Sequence, residues 1–235
     1  MTARARIGVR IGARAATVLL ATALLAGCTS HTAPQASGQD TTSGRAAALP
    51  VPDALTDPEL AMRAGPVAVP LELRMPSLGV DVPVIGVGMS TEDVMDAPMG
   101  PADDPVWQQA FWYRGSAIPG EPSTALLAGH VDDPLGRPAV FAHIEDLRAG
   151  DPIVVHDTRS GLDVRFSVTG TKVYTLEETT DPTVLTEIYG AGPVAGTWPQ
   201  PSTDGLSHLT LITCAGTFRG TTHDHRLAVY ATRVG

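Results

Sequence analysis

The sequence predicts an all-β domain, a barrel or a sandwich, over residues 67–235. From Val67 onward the apolar residues fall in short alternating or β-branched runs, not in long stretches with a 3.6-residue repeat. Gly, Pro and Asp punctuate those runs, and helical patterning is confined to two short segments. No internal repeat and no second domain-length segment is present.

The expected strands, in order, are Val67 to Arg74, Val82 to Val87, Thr124 to Ala128, Ile153 to Asp157, Leu162 to Thr171, His208 to Thr213 and Leu227 to Val234. Asp157-Thr-Arg-Ser-Gly161 reads as a hairpin loop between two of them. Val140 to Leu147 is expected to make two helical turns, and Thr183 to Tyr189 another short helix, with Asp181 as N-cap and Pro182 at the first helical position. Trp107, Phe111, Trp112 and Tyr113 read as core packing, with a groove wall as the functional alternative.

Ahead of the domain, Arg4, Arg6, Arg10 and Arg14 form a basic start, and Ala15 to Ala26 form an uncharged apolar core of 12 residues. This is the order of an export signal, and the core is shorter than the roughly 20 residues of an ordinary spanning helix. Leu25-Ala-Gly-Cys28 closes it and resembles a bacterial lipobox, in which the cysteine receives a diacylglyceryl group. Residues 1–28 are therefore expected to be a lipoprotein-type signal segment with Cys28 the lipidated residue. An uncleaved anchor or an ordinary signal peptide are the competing readings, and all three place the domain outside the cytoplasm. Residues 29–66 are rich in Ser, Thr, Ala, Gly and Pro and carry too little apolar surface to offset the entropy of ordering, which predicts a flexible tether.

The chain carries 16 basic against 25 acidic residues, and without the four signal arginines the balance is 12 to 25, a charge of −13. That excludes nucleic-acid binding through a basic surface. The chain has two cysteines. If Cys28 is lipidated, Cys214 is a lone thiol in an oxidising compartment, without an intrachain disulfide partner. It ends a β-like run, Leu209-Thr-Leu-Ile-Thr-Cys214, directly before Ala-Gly. A buried hydrophobe is the bland reading. Nucleophilic catalysis is the sharper one, and it needs a proton donor for the leaving amine and hydrogen-bond donors for the developing oxyanion. His130, emerging after Leu126-Leu-Ala-Gly129, is the candidate acid, with Gly129 allowing a sharp change of direction. Arg226 opens the last strand, and its guanidinium is the candidate oxyanion donor if that strand lies beside the one ending at Cys214.

Leu127-Ala-Gly-His130-Val, Leu209-Thr-Leu-Ile-Thr-Cys214-Ala-Gly and His225-Arg226-Leu-Ala-Val-Tyr resemble the His, Cys and Arg motifs of sortases, in sortase order. Leu73-Arg-Met-Pro-Ser-Leu-Gly-Val80, Trp112-Tyr113 with Pro119-Gly-Glu-Pro122, Val140-Phe141 and Leu147-Arg-Ala-Gly-Asp151 resemble the actinobacterial class F group. The resemblance covers about Leu71 to Val234. It implies a closed eight-stranded β-barrel with a few short helices, and a cysteine transpeptidase acting on exported proteins with a C-terminal Leu-Pro-x-Thr-Gly-like sorting signal. It further implies a Cys214 thioacyl intermediate, passed to a cell-wall precursor amine or to water, with His130, Cys214 and Arg226 catalytic and no cofactor. Thr213 is expected to add a hydroxyl near the oxyanion, and loops around Thr175 to Pro201 to read the signal. The expected location is the outer face of the cell membrane, held through a lipid or signal anchor.

Asp132 is expected to fix its loop or to orient the imidazole. His223 and His225 also lie within reach of Cys214 in sequence, so they remain competing acids and, with His130 and Cys214, members of a weak zinc alternative whose spacing is poor. An L,D-transpeptidase is disfavoured, because Ile212-Thr213 precedes the cysteine and Arg226 lies 12 residues on. A noncatalytic lipoprotein that binds a peptide or wall fragment is the alternative from another class.

Overall fold

The computed structural model describes residues 50, 52, 62, 63, 65–90, 94–193, 197–220 and 222–235. The expected signal segment, Cys28 and most of the tether lie outside the described residues. The strands are β1 (Val67–Met75), β2 (Val80–Val87), β3 (Ala110–Tyr113), β4 (Thr124–Ala128), β5 (Pro152–Asp157), β6 (Asp163–Thr175), β7 (His208–Phe218) and β8 (His223–Arg233), with one α-helix, α1 (Pro182–Tyr189). They close into a barrel in the order β1-β2-β3-β4-β7-β8-β6-β5, with β5 paired back onto β1. Closure removes the unpaired edges that would otherwise template association.

Two of the pairings are parallel, β2 with β3 and β4 with β7, and the chain needs long crossovers to make them. The segment between β2 and β3 and the segment between β4 and β7, which includes β5, β6 and α1, are those crossovers. The remaining pairings are antiparallel. Alternation then sorts the side chains of β7 and β8. Leu209, Leu211, Leu227, Val229 and Ala231 point into the barrel core, where they meet Leu71, Leu73, Phe166 and Leu127. Burying one such aliphatic side chain contributes about 1.5–3 kcal/mol. Ile212 and Ala228 belong instead to an apolar cluster on the outer face with Leu126, Tyr113, Tyr174 and Ile188.

The expected hairpin forms: Gly161 adopts φ 74°, and the Asp157 carboxylate accepts from the Arg159 and Ser160 backbone and from the Ser160 hydroxyl. The α1 helix starts as expected, with the Asp181 side chain accepting from Thr183 N at 2.7 Å. Val140 to Leu147 differs, giving turns and a short 3-10 segment over Ile144–Asp146. Its internal amides bond three residues back, Ala142 N to Ala139 O, Ile144 N to Phe141 O and Leu147 N to Ile144 O, which makes 3-10 turns in place of an α-helix, while Val140 N and Phe141 N donate outside the segment to Trp107 O and His130 O. The run Ala110–Tyr113, read from sequence as an aromatic cluster, is a barrel strand with all four residues buried.

Candidate active site

Three adjacent strands bring the residues together. Cys214 on β7 stands directly opposite Arg226 on β8. On the other flank of β7, Ala128 at the end of β4 pairs with Ile212, and Gly129 N donates to Ile212 O. His130 therefore leaves its strand at the level where β7 reaches Cys214. Thr213 locks this junction, because its buried hydroxyl donates to Gly129 O at 2.8 Å. That bond turns the Thr213 hydroxyl into a strut between strands, and the expected hydroxyl near an oxyanion is committed elsewhere. Gly129 serves a purpose other than a change of direction: a Cβ there would stand 2.7 Å from the Phe141 ring and 2.8 Å from Val140 Cγ1. The glycine lets the segment after His130 fold back against the strand end.

His130 is partly buried, and its ring lies against aromatic neighbours. The Trp107 ring centroid is 4.6 Å from the imidazole, and Phe111 meets it edge-on at 5.2 Å. Nε2 lies 2.8 Å from Pro98 O, and because a carbonyl only accepts, Nε2 carries the proton. Burial pulls the His130 pKa below the ordinary histidine value, against smaller upward pulls from the Pro98 carbonyl and the Asp132 charge. Burial pushes the Cys214 thiol up, with Arg226 pulling it down and Asp132 adding to the rise. Both directions favour an uncharged resting pair, thiol and imidazole, over the thiolate and imidazolium.

Arg226 is anchored in the β7–β8 hairpin. Its Nη1 donates to His225 O at 2.9 Å and to His223 O at 3.2 Å, and its Nη2 reaches Thr222 Oγ1 at 3.4 Å. The two competing histidines are both engaged. His223 Nε2 donates to Asp132 at 3.2 Å, so Asp132 ties its loop to the hairpin, and no bond from Asp132 to the His130 ring is needed for that role. His225 Nδ1 donates to Asp224 at 2.7 Å, and that bond, the largest cause, helps hold the Asp224 carboxyl down to about 2. Among the described residues no group of three or more His, Cys, Asp or Glu is placed to hold a metal ion.

Beside Cys214 the outer face of the barrel is apolar. Leu126, Ile212 and Ala228 form its floor, with Tyr113, Tyr189, Met89 and Met95 around them. Tyr189, at the end of α1, feels the Arg226 charge, although burial dominates and lifts its phenol to about 12. The sequence reading missed Pro98 and Trp107 as neighbours of His130. They lie 32 and 23 positions upstream, and nothing local in the sequence pairs them with it.

The chain matches the family model described as the sortase domain over residues 73–234. No curated protein matches it. Among solved structures it is similar to a lid mutant of sortase A from Corynebacterium diphtheriae, at 22% identity and TM-score 0.48, covering 75% of each chain. It is also similar to sortase C-1 from Actinomyces oris, at 21% identity and TM-score 0.45, over 70% of this chain and 73% of that one. A further similar structure is Streptococcus agalactiae sortase C1 in complex with MTSET, at 20% identity and TM-score 0.47, over 70% and 68%.

Proposed function

The chain belongs to the sortase family, and from that premise we propose that it is a class F-like cysteine transpeptidase in which Cys214 is the nucleophile, His130 the acid and base, and Arg226 the oxyanion donor. Its substrates are exported proteins carrying a Leu-Pro-x-Thr-Gly-like signal, and its acceptor is a cell-wall precursor amine, or water. The observation that carries the reading is the convergence of three strand ends: Cys214 opposite Arg226, with His130 emerging from β4 on the other flank of β7.

The Cys214 sulfur attacks the carbonyl carbon of the threonine residue, and its proton passes to His130. Arg226 donates to the oxygen as negative charge builds there; a donor aimed at a developing oxyanion is worth about 10²–10³ in rate. Collapse of the intermediate breaks the C–N bond, and His130 hands the proton to the departing glycine amine. The incoming amine then attacks the thioester while His130 takes its proton, which returns to the thiol. Splitting the amide exchange in this way replaces one slow step by two easier ones.

The half-buried apolar side chains over Leu126 and Ala228, namely Met89, Met95, Tyr189 and Ile212, suit the leucine and proline of such a signal, and the segment Thr175 to Pro201, which contains α1, supplies reading residues. Lipidation at Cys28 would hold the domain on the outer membrane face, where exported chains and wall precursors pass; among the described residues no helix is long and apolar enough to cross a membrane.

The test is to incubate the full chain with a peptide library and to trap the Cys214 adduct by mass spectrometry. A fragment ending in threonine, absent from Cys214→Ala, supports the reading. Peptide binding without any adduct, unaffected by Cys214→Ala, would replace it with a noncatalytic binding lipoprotein.

A further inference from the structure

The segment that crosses from β2 to β3 does more than connect them. Pro98 O accepts the His130 Nε2–H at 2.8 Å, and three residues further on Pro101 O accepts the Trp107 indole Nε1–H at 2.7 Å. The same Trp107 ring packs against the His130 imidazole with centroids 4.6 Å apart and the planes tilted by 48°. Trp107 thus touches the histidine directly and holds the strand of backbone that bonds it.

Trp107 is itself fixed from several directions. It sits buried in a short 3-10 turn, Pro105–Gln108, capped by the Asp104 side chain accepting from Val106 N. Its carbonyl accepts from Val140 N at 2.9 Å, and Asp104 N donates to the same Pro101 O that the indole uses. The backbone of His130 is pinned as well, by Phe141 N donating to His130 O at 2.9 Å. A ring held by its own backbone, a tilted indole, a Phe111 edge and one carbonyl has little freedom to flip.

We propose that Trp107 is a positioning residue for His130, acting through the Pro98–Pro101 strap to keep the proton on Nε2 and to leave Nδ1 as the nitrogen that exchanges protons with Cys214 and the leaving amine. A neutral imidazole has one donor and one acceptor nitrogen, and the partner of one decides the role of the other. The inference rests on the reading of His130 as the catalytic acid. In the acylation step the Cys214 thiol proton moves to Nδ1 as the sulfur–carbon bond forms. The same proton leaves Nδ1 for the amine nitrogen as the carbon–nitrogen bond breaks, while the Nε2–H stays on Pro98 O. The charged group acting on the ring from the following loop is Asp132.

The experiment is 15N NMR of the histidine imidazoles in the full chain, with steady-state kinetics on a sorting-signal peptide. Wild type should show His130 as the Nε2–H tautomer. Trp107→Phe keeps an aromatic ring against the imidazole but removes the donor to Pro101 O. It should shift His130 toward a tautomer mixture and lower kcat by about tenfold, with KM changed less than about twofold. Replacing Met99 by its α-hydroxy acid makes the Pro98 carbonyl an ester, a weaker acceptor, and should move both readouts the same way without altering any side chain. An Nδ1–H tautomer in wild type, or an unchanged spectrum or unchanged kcat in both variants, overturns the proposal. Turnover that survives His130→Ala overturns the acid role itself, and the tautomer measurement separates that result from a failure of the strap alone.

Discussion

His223 Nε2 lies 3.2 Å from an Asp132 carboxylate oxygen, and this contact bridges the two strands that flank β7: Asp132 follows β4, and His223 opens β8. His223 Nδ1 also lies 3.3 Å from Gly216 O, and the His223 carbonyl accepts from Arg226. The loop that carries His130 and the hairpin that carries Cys214 and Arg226 are thereby tied at one point. Both partners of the His223 ring accept, so the contact is fully bonded when both nitrogens carry a proton.

Asp132→Asn is expected to act in two ways. Its charge raises both the Cys214 and the His130 pKa, so removing it moves the acid and the alkaline limbs of the kcat/KM profile to lower pH together. A double-mutant cycle with His223→Gln should give a coupling of about 0.5–1 kcal/mol in unfolding free energy, the range of a partly exposed ion pair. Limbs that move apart, or a coupling indistinguishable from zero, would show that the contact neither sets the field nor ties the loops.

Burial raises the Cys214 thiol and lowers the His130 imidazole, so rising pH deprotonates His130 first and Cys214 second. The productive state is then the thiol with a neutral imidazole ready to take its proton. Its population is greatest between the two titrations and falls on either side, which predicts a bell-shaped kcat/KM with an acid limb below the ordinary histidine value and an alkaline limb above the ordinary thiol value. Alkylation of Cys214 by iodoacetamide should follow the alkaline limb. An alkylation midpoint below that of free cysteine would contradict the burial argument.

Gly216 follows the nucleophile by two residues and adopts φ 78°, with a Cβ there pressing on the Asp224 carboxylate and the His225 ring. Gly216→Ala is expected to destabilise the protein by about 1–3 kcal/mol in urea unfolding, the usual cost of a left-handed non-glycine position. It should also reduce activity, because Asp224 organises the hairpin by accepting from Thr217 N, Arg219 Nε and His225 Nδ1. The Asp224 carboxyl is depressed to about 2. Its contribution to hairpin order is therefore complete above the ordinary carboxylate range and is lost as pH falls toward that value.

The sequence disclosed most strands because their alternation is local, and it disclosed Cys214, His130 and Arg226 because each stands at the end or start of such a run. β3 was hidden for the same physical reason: Ala110–Tyr113 is buried throughout, so it lacks the polar alternation that marks a strand. β7 continues past Thr213 to Phe218 and β8 begins ahead of Leu227 at His223, because register from the partner strand extends pairing beyond the apolar runs. The Val140 to Leu147 segment has a helical pattern, but its amides bond three residues back, and its first two reach Trp107 O and His130 O, tertiary partners that no local pattern names. Contacts such as Pro98 with His130 and Asp132 with His223 depend on loops brought together by the crossovers, and one-dimensional spacing holds no trace of them.

Arg226 combines two capacities that a lysine separates. Its positive charge lowers the Cys214 pKa, and its Nη1 bonds both His223 O and His225 O while the other nitrogens of its planar fork remain for Thr222 Oγ1 and for an oxyanion, across the β7–β8 pair from Cys214. Arg226→Lys keeps the charge but lacks the fork, so it cannot hold the hairpin carbonyls and present a donor to the oxyanion at once. Its kcat/KM should fall by about 10²–10³ while the alkaline limb stays near that of wild type. Arg226→Gln loses the charge as well, and there the alkaline limb should rise. If Arg226→Lys moved the limb as far as Arg226→Gln at equal activity loss, Arg226 would be acting as a charge on the thiol, and the oxyanion role would pass to another donor.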